Sequence, residues 1–499
     1  AGARNVISGN NSDGVGIFLE GASDNLVLGN IIGSDVTGTL DLGNAGNGVA
    51  ILDGANNNTI GGTSPGSRNL ISGNAGSGVA ITGAGTTGNA VQGNLIGTDV
   101  SGALELGNSN YGVAIDAGAG NNTIGGAEPG AGNVISGNLA SGVAIFGAAT
   151  MGNAVQGNFI GTDAAGAAPL GNAANGVYIF DSVGHTIGGT TAAARNVISG
   201  NAADGVVITG SDAVNNRVLG NLIGTDAAGA AQIGNLGNGI RLDGAARTQI
   251  EANVIADNQN GVLLALDANH NTLVGNFIGV DRSGMRNLGN AGHGVLLTEA
   301  AADNTIGVAQ QPNVLAFNHG AGVAQIGAGA ARNPIRGNAI YANAGLGLDV
   351  NADGLTNHPQ ALPELLFVAG GAETFVVGKV QSRPNETYTL DFYASTLADA
   401  LLYGEGQRYV DSIVVTTNAT GAASFQAILA RGADFGEFLT ATATDAAGNT
   451  SEFSLAVVVE VDRNEPNDST TSATGLGALS QDTGRIDPRA LIAPTGDVD

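Results

Sequence analysis

Cysteine and tryptophan are absent from this 499-residue chain, and it holds a single lysine, Lys379. Without cysteine there is no disulfide framework and no thiol chemistry, so packing and hydrogen bonds alone must hold the fold. Seventeen basic residues face 43 acidic ones, a formal net charge of −26. Such a surface repels nucleic acid and, unless cations bridge it, a strongly anionic polysaccharide. Neutral polymers, metal ions and other proteins remain as partners. No uninterrupted apolar run approaches the roughly 18 residues of a membrane-spanning helix, so no span is predicted. No secretory leader is visible. The chain opens at Ala1 in mid-repeat and stops at "GDVD", which reads as a piece cut at both ends. Its length is too great for one compact core and predicts two or three domains.

What the chain has in excess is glycine, 83 residues, and a period that explains it. "RNVISGN" at Arg4–Asn10 returns as "RNLISGN" at Arg68–Asn74, "GNVISGN" at Gly132–Asn138 and "RNVISGN" at Arg195–Asn201. The spacing is 63 or 64 residues, and repeats of this kind decide the fold before anything else does. Within each period lie two related phrases, both built on Asn-x-Ile followed by Gly-Val or Gly-Ile. Twelve such units run from Asn5 to Asn338, with Leu315 the one replacement of the isoleucine. The unadorned unit is Thr248–His270, 23 residues; most others carry about ten more, placed alternately before and after the Asn-x-Ile strand. The period is therefore two coils.

This pattern predicts an all-β chain in which three short strands make a coil and coils stack in parallel. Stacking aligns the isoleucines in one internal column, each contributing roughly 1.5–3 kcal/mol when buried. It also aligns the asparagines, whose side-chain amides can bond the coils above and below. The pattern resembles the right-handed parallel β-helix proteins of the pectate-lyase-like superfamily, in particular secreted bacterial repeat proteins. That resemblance implies a β-helix of about 12 coils over residues 1–356 and an extracellular or cell-surface location. It leaves function open, because the scaffold hosts enzymes, adhesins and inert stalks alike.

Beyond Leu348 the period ends. Residues 357–461 contain seven candidate strands, from "LPELLF" to "SEFSLAVVVEV", which predict an antiparallel sandwich. Its closing "TATATDAAGNTSEFS" resembles bacterial Ig-like modules. Residues 462–475 read as a polar linker. The stretch 476–499, with a motif beginning near residue 464, resembles the truncated start of a prepeptidase C-terminal domain.

Three sets of candidate site residues follow. Asp35, Asp99, Asp163, Asp226 and Asp281 occupy the "IGTD"-like loop of alternate coils, and form either a ligand-binding row or local turn caps. Asp349, Asn351 and Asp353, in "DVNADG", have the D-x-N-x-D-G spacing of a weak calcium site. His293, His319, Asp281 and Arg282 lie in the least regular coils and are the candidates for catalysis. "GHG" at Gly292–Gly294 resembles the histidine motif of polygalacturonases, yet the repeat lacks the paired Asp and the Arg-x-Lys that family needs. "GTSPG" at Gly62–Gly66 fits a nucleophile elbow in letters only, since it joins no strand to a helix. The expected function is a non-catalytic, adhesin-like repeat protein that binds polysaccharide or another cell-surface component. The alternative is a polysaccharide lyase or hydrolase acting at 281–319.

Overall fold

No coil carries enough apolar surface to fold alone, and the chain solves this by winding a right-handed parallel β-helix. The computed structural model describes residues 4–327, 329–350, 362–370, 373–398 and 405–461. Three parallel sheets form the helix walls. The first sheet has twelve strands, from Val6–Ile7 to Ala339–Tyr341, and holds the Asn-x-Ile units. The second also has twelve, from Val15–Phe18 to Leu348–Val350, and the third has ten, from Leu26–Val27 to Thr305–Ile306. Pairing is in register from coil to coil, so Ile32, Ile71, Ile96 and Ile135 meet in one column at 0% exposure. Strand alternation turns these residues inward and their neighbours outward.

The corners are held by asparagine ladders. The one foreseen from the repeat runs from Asn5 to Asn338: Asn158 donates its backbone N–H to Asn196 Oδ1 at 2.9 Å and its Nδ2 to Ile124 O at 2.9 Å. Two more ladders exist that the repeat did not disclose. One runs from Asn10 through Asn44, Asn74 and Asn108 to Asn343 after the first sheet. The other precedes the third sheet, from Asn25 through Asn58, Asn89, Asn122 and Asn153 to Asn333. Each side chain satisfies donors and acceptors at a bend where strand pairing cannot, and nearly all are fully buried. The third ladder is interrupted twice, by His185 and by Thr248.

The residues inserted after the first-sheet strands fold back as loops that cover the outer face of that sheet. Under them lies a second apolar layer, with Ile31, Leu70, Leu95 and Val134 in one cluster and Val197, Leu222 and Val254 in the next. Successive loops also bond to one another: Val100 N–H to Gly38 O at 3.0 Å, Ala164 to Gly102 O at 2.9 Å, and Ala227 to Gly166 O at 2.8 Å.

The antiparallel sandwich stands on the last coil. Among the described residues, its two sheets hold four strands each. Six of the seven anticipated strands are present, from Glu364–Gly370 to Phe438–Asp445. The seventh is a correction: it is two short pieces, Val457–Val458 and Glu460–Val461, one in each sheet. The residues before them are committed elsewhere. Phe453 packs into the end of the helix core against Tyr393, and the Glu452 carboxylate accepts the N–H of Val350 at 2.9 Å. Arg336 of the helix and buried Asp391 of the sandwich form a bidentate pair at 2.6 and 2.7 Å. The anticipated boundary at 356/357, the linker 462–475 and the segment 476–499 lie outside the described residues.

Candidate ligand-binding face

Each aspartate of the "IGTD"-like loops caps its own turn. Asp99 Oδ1 accepts the N–H groups of Ala103 and Leu104 at 3.2 and 3.1 Å, and Ser101 Oγ donates to it at 2.7 Å. Asp163 and Asp226 accept the matching pairs, Ala167 and Ala168, Ala230 and Ala231. Asp35 does so with Thr39 and Leu40, Asp281 with Ser283 and Arg286. Burial pulls the Asp99 carboxyl upward, but the Ser101 hydroxyl and the loop amides outweigh it and hold it below the ordinary carboxylate range. Hydrogen bonds from Thr37, Thr39 and Leu40 lower Asp35 in the same way. The loop-to-loop bonds set the first four of these aspartates in a file along one flank.

The candidates at 281–319 are separated by this arrangement. Asp281 is held in its loop, and Arg282 Nη2 donates to Ala252 O at 3.2 Å. His293 stands at another corner, before a second-sheet strand. There it accepts the Ala321 N–H on Nδ1 at 3.0 Å, as Asn260 Oδ1 accepts the His293 N–H at 2.9 Å. Asn47 and Asn175 do the same for Ser77 and Asp204. His293 is thus a rung in a corner ladder, and burial lowers its pKa against the opposing pull of Asp349. His319 is exposed on the turn of the next coil. Of the calcium candidates, Asp349 lies on the last second-sheet strand, paired with Ala324, while Asn351 and Asp353 lie outside the described residues. Among the described residues, no group of three or more His, Asp or Glu is placed to hold a metal ion.

The chemistry-bearing surface lies elsewhere, on the outer face of the second sheet. In the four-residue strands there the second and fourth residues point outward. Over the early coils the second position is small: Ala50, Ala80, Ala114 and Ala144 succeed one another in register. Tyr111, Phe146 and Tyr178 follow one another, with ring centroids 5.4 and 5.8 Å apart and planes tilted by 56° and 63°. All three are half-buried, so each ring keeps part of its surface in solvent, and Phe180 beside them is exposed. The chain has 13 Phe and 7 Tyr in 499 residues, so three in one outward file is a concentration that packing does not require.

Charge follows along the second-position column, which Tyr178 alone of the three rings occupies. Tyr178 aligns with Val207, and Val207 with Arg241. Arg241 Nη2 reaches Asp243 Oδ2 at 2.7 Å, and Nη1 lies 3.9 Å from Asp204 Oδ2. Asp204 is itself a corner rung, accepting the Asn238 N–H. Burial, then the nearby hydroxyl of Tyr111 and the negative charge of Asp181, raise the Tyr178 pKa. Reading single coils could not find this face. Tyr111 precedes its strand, Phe146 ends one and Tyr178 sits within one, so the three share no offset in the repeat.

No family model matches the chain, and no curated protein matches it. Among solved structures, the Dettilon tailspike protein is 15% identical, over 89% of this chain and 87% of that one, with a TM-score of 0.39. The A-module of a mannuronan C-5 epimerase from Azotobacter vinelandii is 16% identical, over 62% and 82%, with a TM-score of 0.34. A tailspike protein from an Acinetobacter baumannii phage is 11% identical, over 88% and 70%, with a TM-score of 0.20.

Proposed function

We propose that this chain is a non-catalytic, extracellular or cell-surface rod that binds a polysaccharide along the outer face of its second sheet. The observation that carries the reading is the outward file Tyr111–Phe146–Tyr178. Aromatic rings offer large apolar faces at little conformational cost, and sugar rings present C–H faces that pack on them. Strands advance about 4.8 Å per coil, close to the length of one pyranose ring in an extended chain. A glycan lying along the helix axis therefore meets one side chain of the file per ring.

The non-catalytic part rests on how the candidates at 281–319 are spent. Asp281 caps a turn, His293 is a corner rung and Arg282 binds a carbonyl. General acid–base catalysis needs a convergent pair within reach of one bond, and these side chains do not converge. The extracellular setting rests on the resemblance to secreted bacterial β-helix proteins; no helix among the described residues is long and apolar enough to cross a membrane.

The test is retention on a panel of immobilised neutral and acidic polysaccharides, with release of new chain ends followed in parallel. The chain is expected to be retained without releasing ends. The triple variant Tyr111→Ala, Phe146→Ala, Tyr178→Ala is expected to flow through. New chain ends that disappear with His293→Ala would replace this reading by the enzymatic one. Undiminished retention of the triple variant would move the ligand to another face.

A further inference from the structure

The file of rings is bounded at both ends by polar side chains that are not fully satisfied. At one end Asp116, which closes its second-sheet strand one coil before Phe146, has a buried Oδ1 with no hydrogen-bond partner. At the other, Arg241 Nε and Asp243 Oδ1 are also buried without partners, although Asp243 is only 7% exposed. A buried carboxylate oxygen or guanidinium N–H left unpaired is costly, and native structures rarely tolerate one without a ligand or water to complete it. Three such atoms fall on the same outward face of one sheet.

We infer that Asp116 and the Arg241–Asp243 pair are the hydroxyl-reading ends of one site, and that its ligand is a neutral oligosaccharide segment spanning the strands between them. This rests on the glycan-binding reading above. The strands concerned are Val113–Asp116, Val143–Phe146, Val177–Phe180, Val206–Thr209 and Ile240–Asp243, neighbours in that order. Four steps between strands cover roughly 19 Å, which accommodates about five sugar residues in an extended chain. Rings stack on Tyr111, Phe146 and Tyr178, and the buried Val207 forms a flat floor beyond them.

The chemistry selects hydroxyls over charges. A carboxylate accepts two sugar hydroxyls, and a guanidinium donates in a planar fork. Arg241 is 41% exposed at its side chain, so a modest rotation uncovers Asp243 and offers Nε at once. Its charge is already balanced by Asp243 and Asp204, with Glu299 and Asp181 adding negative charge at the margin. An anionic polymer meets net negative charge there. A cationic one meets the Arg241 guanidinium at the far end of the site.

The experiment is calorimetric titration of the whole chain with neutral oligosaccharides of increasing length, β-1,4-linked glucose, mannose, xylose and N-acetylglucosamine among them. Polygalacturonate and glucosamine oligomers serve as anionic and cationic arms. Affinity is expected to climb with length and level off at about five residues, the span set by the strand spacing. Asp243→Asn and Asp116→Asn, near-isosteric and checked for an unchanged circular dichroism spectrum, are expected to weaken the long ligands at least tenfold. Both variants should leave the shortest ligands, held by the rings alone, within about twofold of wild type. If Tyr178→Ala abolishes binding while both Asp→Asn variants bind long ligands normally, the polar ends are overturned and the aromatic reading stands. Binding unaffected by Tyr178→Ala, or no binding by any neutral series, overturns the reading itself. Tighter binding of either charged arm overturns the neutral assignment.

Discussion

The carboxylate of Glu405 accepts the backbone N–H of Asn343 at 3.0 Å, the bond that Asn343 Oδ1 makes to Asn318 one coil earlier at 3.1 Å. Its other oxygen accepts the N–H of Ala342 at 2.5 Å. The sandwich therefore closes the helix by imitating the coil that would come next. Thr450 Oγ1 accepts the Ile335 N–H at 3.0 Å, Asn449 Oδ1 the Arg332 N–H at 2.8 Å, and Gly406 O the Ile340 N–H at 2.8 Å. An open end of a parallel sheet is a template for unwanted pairing, and three side chains and the Gly406 carbonyl occupy it.

Glu405→Ala is expected to cost about 1–3 kcal/mol, the penalty for leaving two N–H groups without their acceptor. Glu405→Gln keeps one acceptor oxygen and should cost less. Amide hydrogen exchange of Ala342 and Asn343 is the direct readout. Unchanged exchange in the Ala variant would mean that water replaces the carboxylate without loss.

Thr248 is the weak rung of the third ladder. Its N–H donates to Asn271 Oδ1 at 2.8 Å, but its buried Oγ1 has no partner and it brings no amide to the corner. Thr248→Asn is expected to complete the ladder and raise stability by about 1 kcal/mol. Asn158→Ala, in a complete ladder, is expected to lower it by about 1–3 kcal/mol, and Asn5→Ala, exposed at the first described coil, by less. Chemical denaturation midpoints rank the three. Equal losses at Asn158 and Asn5 would show that the asparagines cap turns locally and do not link coils.

Much of this architecture was legible because identical letters recur at every coil. Asn158 and Ile160 announce a ladder and a column, since asparagine stands in the same place in all twelve units and isoleucine in eleven of them. The other two ladders were hidden in plain view. Asn44, Asn74 and Asn108 look like turn residues beside glycine, where asparagine is common for local reasons. The role of the inserted loops was hidden too. Gly38 and Gly102 read as flexible punctuation, yet a Cβ at either would strike the neighbouring loop at 2.8 or 2.7 Å, on Val100 or Ala164. Contacts between loops two coils apart leave no local signature. The ring file is invisible for the same reason, being assembled from three different offsets.

His185 makes the helix sensitive to acid. It is fully buried in the third ladder, where Nδ1 accepts the Asn153 N–H at 3.1 Å. Ser182 Oγ donates to Thr150 O at 2.6 Å, so at 2.7 Å it receives the proton of His185 Nε2. The ring is thus held neutral, and a second proton on Nδ1 would face the N–H of Asn153. Burial pushes its pKa down to about 4. The unfolded chain takes up the proton near pH 6.5, the folded chain only near the depressed value. The stability that neutral His185 supports is therefore fully present above about pH 6.5, falls as the pH drops towards 4, and changes no further below. The loss is on the order of 3 kcal/mol. His185→Asn restores the asparagine rung and is expected to flatten that slope between pH 6.5 and 4. An identical slope in wild type and variant would assign the acid sensitivity to the carboxylates.

Asp99 decides between the two meanings of the aspartate file. As a cap it holds the loop that covers Leu95 and touches the loop of Ala164. Asp99→Ala is then expected to lower stability by about 1–3 kcal/mol while leaving polysaccharide retention intact, because the second sheet faces another direction. Its carboxyl titrates below the ordinary range when folded. The cap is therefore fully formed above the unfolded carboxylate range near pH 4 and is lost as the pH falls through the lower folded value. Loss of retention at an unchanged denaturation midpoint would give the opposite answer. The five loop carboxylates would then touch the ligand, and the file on the second sheet would be surface packing.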